Sequence, residues 1–175
     1  MTESARHAPV WVRAALFIMV VPASVAGWIP WYAAGSPPLA SRAGLPLAVL
    51  SAAMIVGGWT ILLVCAREFA RVGRGTPGPY DPPRSLVTSG MYRFSRNPMY
   101  VGVVTAIFGQ ALWFHSRDVV YYGIAMAVAF HITILIYEEP RLNRVFGVEY
   151  RDYRRAVPRW IGFRRGAERR VPQSR

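Results

Sequence analysis

Apolar residues run in long uninterrupted blocks along this chain, with little of the charge interleaving that an amphipathic soluble helix shows. Four blocks are long enough, or nearly so, for a membrane-crossing helix, which takes about 17–25 residues. They cover residues 14–32, 45–66, 98–114 and 119–137. Pro22 should kink the first. Gly57 and Gly58 lie in the middle of the second and would let a neighbouring helix come close. The third is short and suits a tilted or partly enclosed helix. The first block exceeds the apolar core of a secretory signal and lacks a convincing cleavage site, which predicts a retained span. Trp11, Trp28, Trp31, Trp113, Tyr121 and Tyr122 fall near block ends, as interfacial aromatics do.

The polar connections are unequal. Residues 73–83 are rich in Gly and Pro and predict an ordered irregular loop or lid. After the fourth block, Leu142, Phe146, Tyr150, Tyr153 and Val157 recur at helical spacing. That stripe predicts an amphipathic helix on the membrane surface or against the loop, with Gly147 as a break. The expected fold is all-α: a polytopic membrane protein of about four spans with an amphipathic C-terminal helix. Residues 1–165 would form one domain and 166–175 a polar, frayed tail.

Charge sharpens the topology. The chain has 175 residues, a net charge of +12, and 21 basic residues that are all Arg. Two lie before the first block, six between residues 67 and 97, and eleven after Tyr137. The 35–44 loop has only Arg42 and the His115–Asp118 turn only Arg117. Four spans put the rich segments on one side, which the positive-inside rule makes cytoplasmic, with both termini. Arginines beside apolar blocks fit anionic lipid headgroups and argue against a nucleic-acid partner. A bacterial inner membrane is the expected location. The lone Cys65 excludes an intrachain disulfide, and the few His and Cys exclude a zinc site. No metal is expected.

Candidate chemistry gathers on the arginine-rich side. Glu138 and Glu139, before Pro140, end the fourth block, where a helix C-terminus disfavours negative charge. They bind something cationic, or they pair with Arg141 or loop arginines. His131 lies seven residues earlier, two turns along one face, and is a candidate for lining a cavity. Gln110 suits interhelical hydrogen bonding. Asn97 and Pro98 suit the N-cap and first turn of the third helix, and Arg93 and Arg96 add positive charge beside it. Gly73-Arg74-Gly75 is either a simple turn or a ligand loop, and the Gly-Lys-Ser/Thr of a P-loop is absent.

Taken in order, Gly90-x-Tyr92-x-x-x-Arg96-Asn97-Pro98-x-Tyr100-x-Gly102, Tyr137-Glu138-Glu139-Pro140, Phe146-Gly147-x-x-Tyr150-x-x-Tyr153 and Val157-Pro158-Arg159-Trp160 resemble a known family. It is the isoprenylcysteine carboxyl methyltransferase and phospholipid methyltransferase superfamily, matched over residues 69–163. The resemblance implies a small membrane enzyme that uses S-adenosyl-L-methionine to methylate a lipid or a prenylated small molecule among membrane lipids. It implies a cofactor pocket of Arg96, Asn97, Pro98, Tyr100, Gly102, Glu138, Glu139, Tyr150 and Tyr153. Arg159, Asn97 and His131 are the catalytic candidates. Asn97 stands where carboxyl methyltransferases commonly carry His, which is closer to the phospholipid N-methyltransferase form. Two other readings are an NADPH-dependent sterol-type membrane reductase and a non-catalytic scaffold of the same fold; the glutamate pair favours the methyltransferase.

Overall fold

The computed structural model describes residues 21–36, 44–73 and 85–162. All regular structure among them is helical. A π-helical turn at Ser24–Trp28 leads into α1 (Ile29–Ala33). Next come α2 (Leu45–Glu68), a π-turn at Phe69–Gly73 and a 3-10 turn at Gly90–Arg93. Then follow α3 (Pro98–Phe114), α4 (Arg117–Thr133), a π-turn at Ile134–Glu138 and α5 (Glu139–Ala156).

Two helical stretches are long and apolar enough to cross a membrane: Leu45–Glu68 and the continuous run Arg117–Ala156. At 1.5 Å per residue, the 17 residues of α3 span about 26 Å, short of a hydrocarbon core of about 30 Å. Its side chains explain the shortness: Gly102, Val103, Ala106, Ile107, Gln110 and Ala111 are all buried, so α3 is the enclosed helix of the bundle.

Small residues set the packing. Gly58 of α2 lies against Gly102 of α3 so closely that a Cβ on Gly58 would stand 2.5 Å from the Gly102 carbonyl oxygen. Gly57, expected to share that task, faces open space. Leu62, Val103, Ala106, Ile107, Ala111, Val119 and Ala26 form the core around this crossing. Cys65 is fully buried in a second cluster with Val87 and Tyr92, a packing residue as its apolar setting predicted.

Proline chemistry accounts for the π-turn before α1. Ile29 N–H reaches back to the Ser24 oxygen, one residue beyond the α-helical partner. Pro30 has no N–H, so the carbonyls of Val25 and Ala26 lose the donors five and four residues ahead. Gln110 Nε2 donates to the Ala26 oxygen, and the Tyr122 hydroxyl donates to the Val25 oxygen at 2.9 Å. The interhelical role expected of Gln110 is thus the repair of a proline-made gap.

α3 and α4 are joined by a two-residue turn. His115 takes a left-handed conformation (φ 51°), and the Ser116 hydroxyl accepts from Val119 N–H to cap α4. α4 and α5 run on through the Ile134–Glu138 π-turn without a loop. The break comes at Gly147 (φ 51°, ψ −115°), a conformation costly for any residue with a Cβ. The apolar stripe packs inward: Tyr150 is buried, and the Tyr153 hydroxyl donates to the Tyr92 oxygen at 2.8 Å. The Gly73-Arg74-Gly75 segment, most of the 73–83 loop, the first part of the first span and the 166–175 tail lie outside the described residues.

Candidate functional site

A cavity of about 190 Å³ opens where the start of α3, the end of α4, the start of α5 and the 86–97 segment meet. One side is apolar, with Val25, Val103, Phe130 and Ile134. The other is polar, with Arg96, Asn97, Tyr100, Glu138, Glu139, Tyr150 and Tyr153. Seven residues nominated from three separate sequence segments therefore share one cavity.

The adjacent glutamates have different surroundings. Glu139 is buried and saturated with cations. It accepts from Arg96 Nη1 at 2.8 Å, Arg159 Nε at 2.8 Å and Arg159 Nη2 at 3.2 Å, and Arg154 Nη1 lies 4.0 Å away. Burial works to raise its pKa, but the Arg159 hydrogen bonds and the charges of Arg96, Arg159 and Arg154 win. The carboxyl is held below its ordinary range. Glu138 accepts from the Tyr100 hydroxyl and, among the described residues, forms no ion pair with an arginine. Burial pushes its carboxyl above the ordinary range, against the Tyr100 hydrogen bond and the charge of Arg141. Arg141 itself turns to Tyr137, donating to its hydroxyl at 3.1 Å.

Tyr100 also packs on Phe130, with ring centroids 4.5 Å apart, so an aromatic surface flanks the Glu138 carboxylate. Arg96 donates to the Tyr150 hydroxyl at 3.2 Å, while its buried Nε has no partner among the described residues. Burial raises the pKa of the Tyr150 and Tyr153 hydroxyls, so both stay protonated donors at neutral pH.

Several nominated residues sit elsewhere or act differently. Asn97 occupies the N-cap position of α3 but makes no side-chain cap; its Nδ2 donates to the Arg159 oxygen at 3.0 Å. Gly102 faces Gly58, and Pro98 starts α3; neither lines the cavity. Arg159 does not line the cavity; its guanidinium holds Glu139 and its backbone oxygen accepts from Asn97. His131 is outside the cavity and stacks on Trp160, with ring centroids 5.9 Å apart. The shared face expected for His131 and Glu138 assumed unbroken α-helix. The chain between them winds into the Ile134–Glu138 π-turn, and Glu138 lines the cavity while His131 does not.

Sequence reasoning missed Phe130, whose apolar type looks like any lipid-facing residue. It also missed Ser95, whose hydroxyl donates to the Arg159 oxygen 64 positions away at 3.3 Å. No local signal marks either one. Among the described residues no cluster of three or more His, Cys, Asp or Glu could hold a metal ion.

Comparison with known proteins bears directly on this site. The phospholipid methyltransferase family model matches residues 46–149. The chain is also similar to protein-S-isoprenylcysteine O-methyltransferase A of Arabidopsis thaliana, 32% identical over 91 residues. That match covers 48% of this chain and 43% of the relative, so the chain spans less than half the length of the protein it matches. No solved structure matches. The chain belongs to the phospholipid methyltransferase family. With its long apolar helices, that makes it an integral membrane protein.

Proposed function

We propose that this member of the phospholipid methyltransferase family transfers a methyl group from S-adenosylmethionine to a lipid-type acceptor in the described cavity. The observation that carries the reading is Glu138, an acid facing a largely apolar cavity beside aromatic rings with no arginine paired to it among the described residues. A carboxylate in that position is costly unless a cation joins it.

The residues fit this cofactor's charges. When bound, S-adenosylmethionine supplies a transferable methyl on a sulfonium. Glu138 with the Tyr100 and Phe130 rings suits a cation. Arg96, with a buried donor to spare, suits a carboxylate. The apolar wall of Val25, Val103 and Ile134 suits a lipid chain and excludes water from the acceptor. The protein's main task is alignment of acceptor and methyl. An amine acceptor has to lose a proton first, and Glu138 is the acid in place to take it; a carboxylate acceptor needs no base.

Four spans with both termini cytoplasmic complete the proposal. The distribution of arginine supports it, because 19 of the 21 lie in segments that four spans put on one side. The experiment is binding of labelled S-adenosylmethionine, in parallel with NADPH, to the full chain purified in detergent. Saturable binding of the former is expected. Saturable NADPH binding without it would establish the reductase reading instead.

A further inference from the structure

The segment 157–162 has no regular secondary structure, yet it is fastened at Pro158, Arg159 and Trp160. Pro158 O accepts from Arg96 N–H at 2.9 Å. Arg159 O accepts from both Ser95 Oγ and Asn97 Nδ2. The Arg159 guanidinium grips Glu139 through two nitrogens, and Trp160 stacks on His131. These fastenings converge on Arg96. Its backbone N–H is held by the strap directly, and its guanidinium is held by Glu139, which the strap's own Arg159 clamps.

We infer that the 157–162 strap is a positioning element for Arg96, with Glu139 and Arg159 as its clasp, and that Arg159 does not touch cofactor or acceptor. The inference rests on the methyltransferase reading only for what the cavity holds. It assigns different duties to the two glutamates: Glu138 faces a ligand, and Glu139 acts through Arg159 and Arg96. The saturation of Glu139 supports this division. Three hydrogen bonds from two arginines occupy its oxygens, which leaves little capacity for a ligand cation. Asn97 belongs to the same device, since its amide is spent on the strap rather than on the cavity. The stacked His131–Trp160 pair, useless as cavity chemistry, makes sense as the strap's outer anchor.

Two measurements on the detergent-purified full chain decide the matter. The first is hydrogen exchange of the Arg96 amide, which the strap's Pro158 oxygen holds, without added ligand. Glu139→Gln and Arg159→Gln should each speed exchange there about tenfold or more, the loss expected of a charge-assisted hydrogen bond. Glu138→Gln should leave it unchanged. If Glu139→Gln does not fold, Arg159→Gln carries the test, because that side chain is partly exposed. Unchanged exchange in Arg159→Gln overturns the strap.

The second is S-adenosylmethionine affinity in a double-mutant cycle. Arg96→Gln and Arg159→Gln should each weaken binding, and the double variant should be no weaker than Arg96→Gln alone. Additive losses would mean that Arg159 meets the ligand itself and would overturn the positioning role. A wild-type chain that binds no S-adenosylmethionine sinks the proposed function and leaves the exchange experiment to judge the strap.

Discussion

Gly58 and Gly102 each stand where a side chain on the other helix would collide with backbone. A Cβ on Gly58 would lie 2.5 Å from the Gly102 oxygen and 2.8 Å from Ala106 N; one on Gly102 would lie 2.7 Å from the Gly58 oxygen. Backbone cannot step aside as a flexible side chain can, so any substitution pushes α2 from α3. Gly58→Ala should cost about 1–3 kcal/mol, the usual range for overpacking. Gly57→Ala, into open space, should be neutral or slightly stabilising, since it replaces a helix-interior glycine. Thermal unfolding in detergent compares them, and equal losses would contradict the crossing described.

Gln110 and Pro30 should be energetically coupled. Gln110→Leu removes the donor that serves the Ala26 carbonyl, at a cost of about 1–2 kcal/mol for an orphaned buried acceptor. Pro30→Ala restores a backbone N–H four residues after Ala26. The Gln110→Leu loss should therefore shrink in the Pro30→Ala background. A double-mutant cycle read by unfolding midpoints checks this, and strict additivity would refute it.

The two glutamates should bend the pH profile in opposite directions. Glu139 lies below its ordinary value of 4.5. It stabilises the fold above that value and loses its contribution as pH falls through the folded value. Glu138 lies above the ordinary 4.5. It favours the fold below that value, and this is lost as pH rises through the folded value. Glu138→Gln should leave a protein that only weakens on acidification. Glu139→Gln should blunt the acid loss and gain stability as pH falls toward the ordinary Glu138 value of 4.5. Identical profiles for the two variants, measured by thermal unfolding, would contradict the assignment.

Glu138 should dominate cofactor affinity by direct contact. Glu138→Gln should weaken S-adenosylmethionine binding at least about tenfold, equivalent to roughly 1.5–3 kcal/mol for a lost charge-assisted contact. Tyr100→Phe should have a smaller effect, since it removes a hydrogen bond to Glu138 and keeps the ring against Phe130. Titration of labelled cofactor distinguishes these, and unchanged affinity in Glu138→Gln removes that acid from the pocket.

Topology can be tested against a quiet background. The one native thiol, Cys65, is fully buried and should resist an impermeant maleimide. A cysteine placed at Ser41 should label from outside intact cells. One placed at Ser174 should label only after permeabilisation. The reverse pattern would overturn the arginine-based orientation.

The sequence alone determined the helical architecture, the family and the polar part of the cavity wall. Those depend on signals that are local: block length, arginine placement and side-chain types at fixed spacing. Arg96, Asn97, Tyr100, Glu138, Tyr150 and Tyr153 were legible because their spacing within short segments matches a known pattern. Which of them face the cavity with a free group was decided by tertiary structure. His131 stacks on Trp160, outside the cavity that Glu138 lines. A carbonyl 62 positions along drew the Asn97 amide out of its capping role. Glu138 and Glu139 are chemically identical neighbours, and nothing local separates them. Their difference comes from arginines 43 and 20 residues away that reach one carboxylate and leave the other to Tyr100. Such long-range pairing follows from where the chain folds back, and spacing along it carries no trace of that.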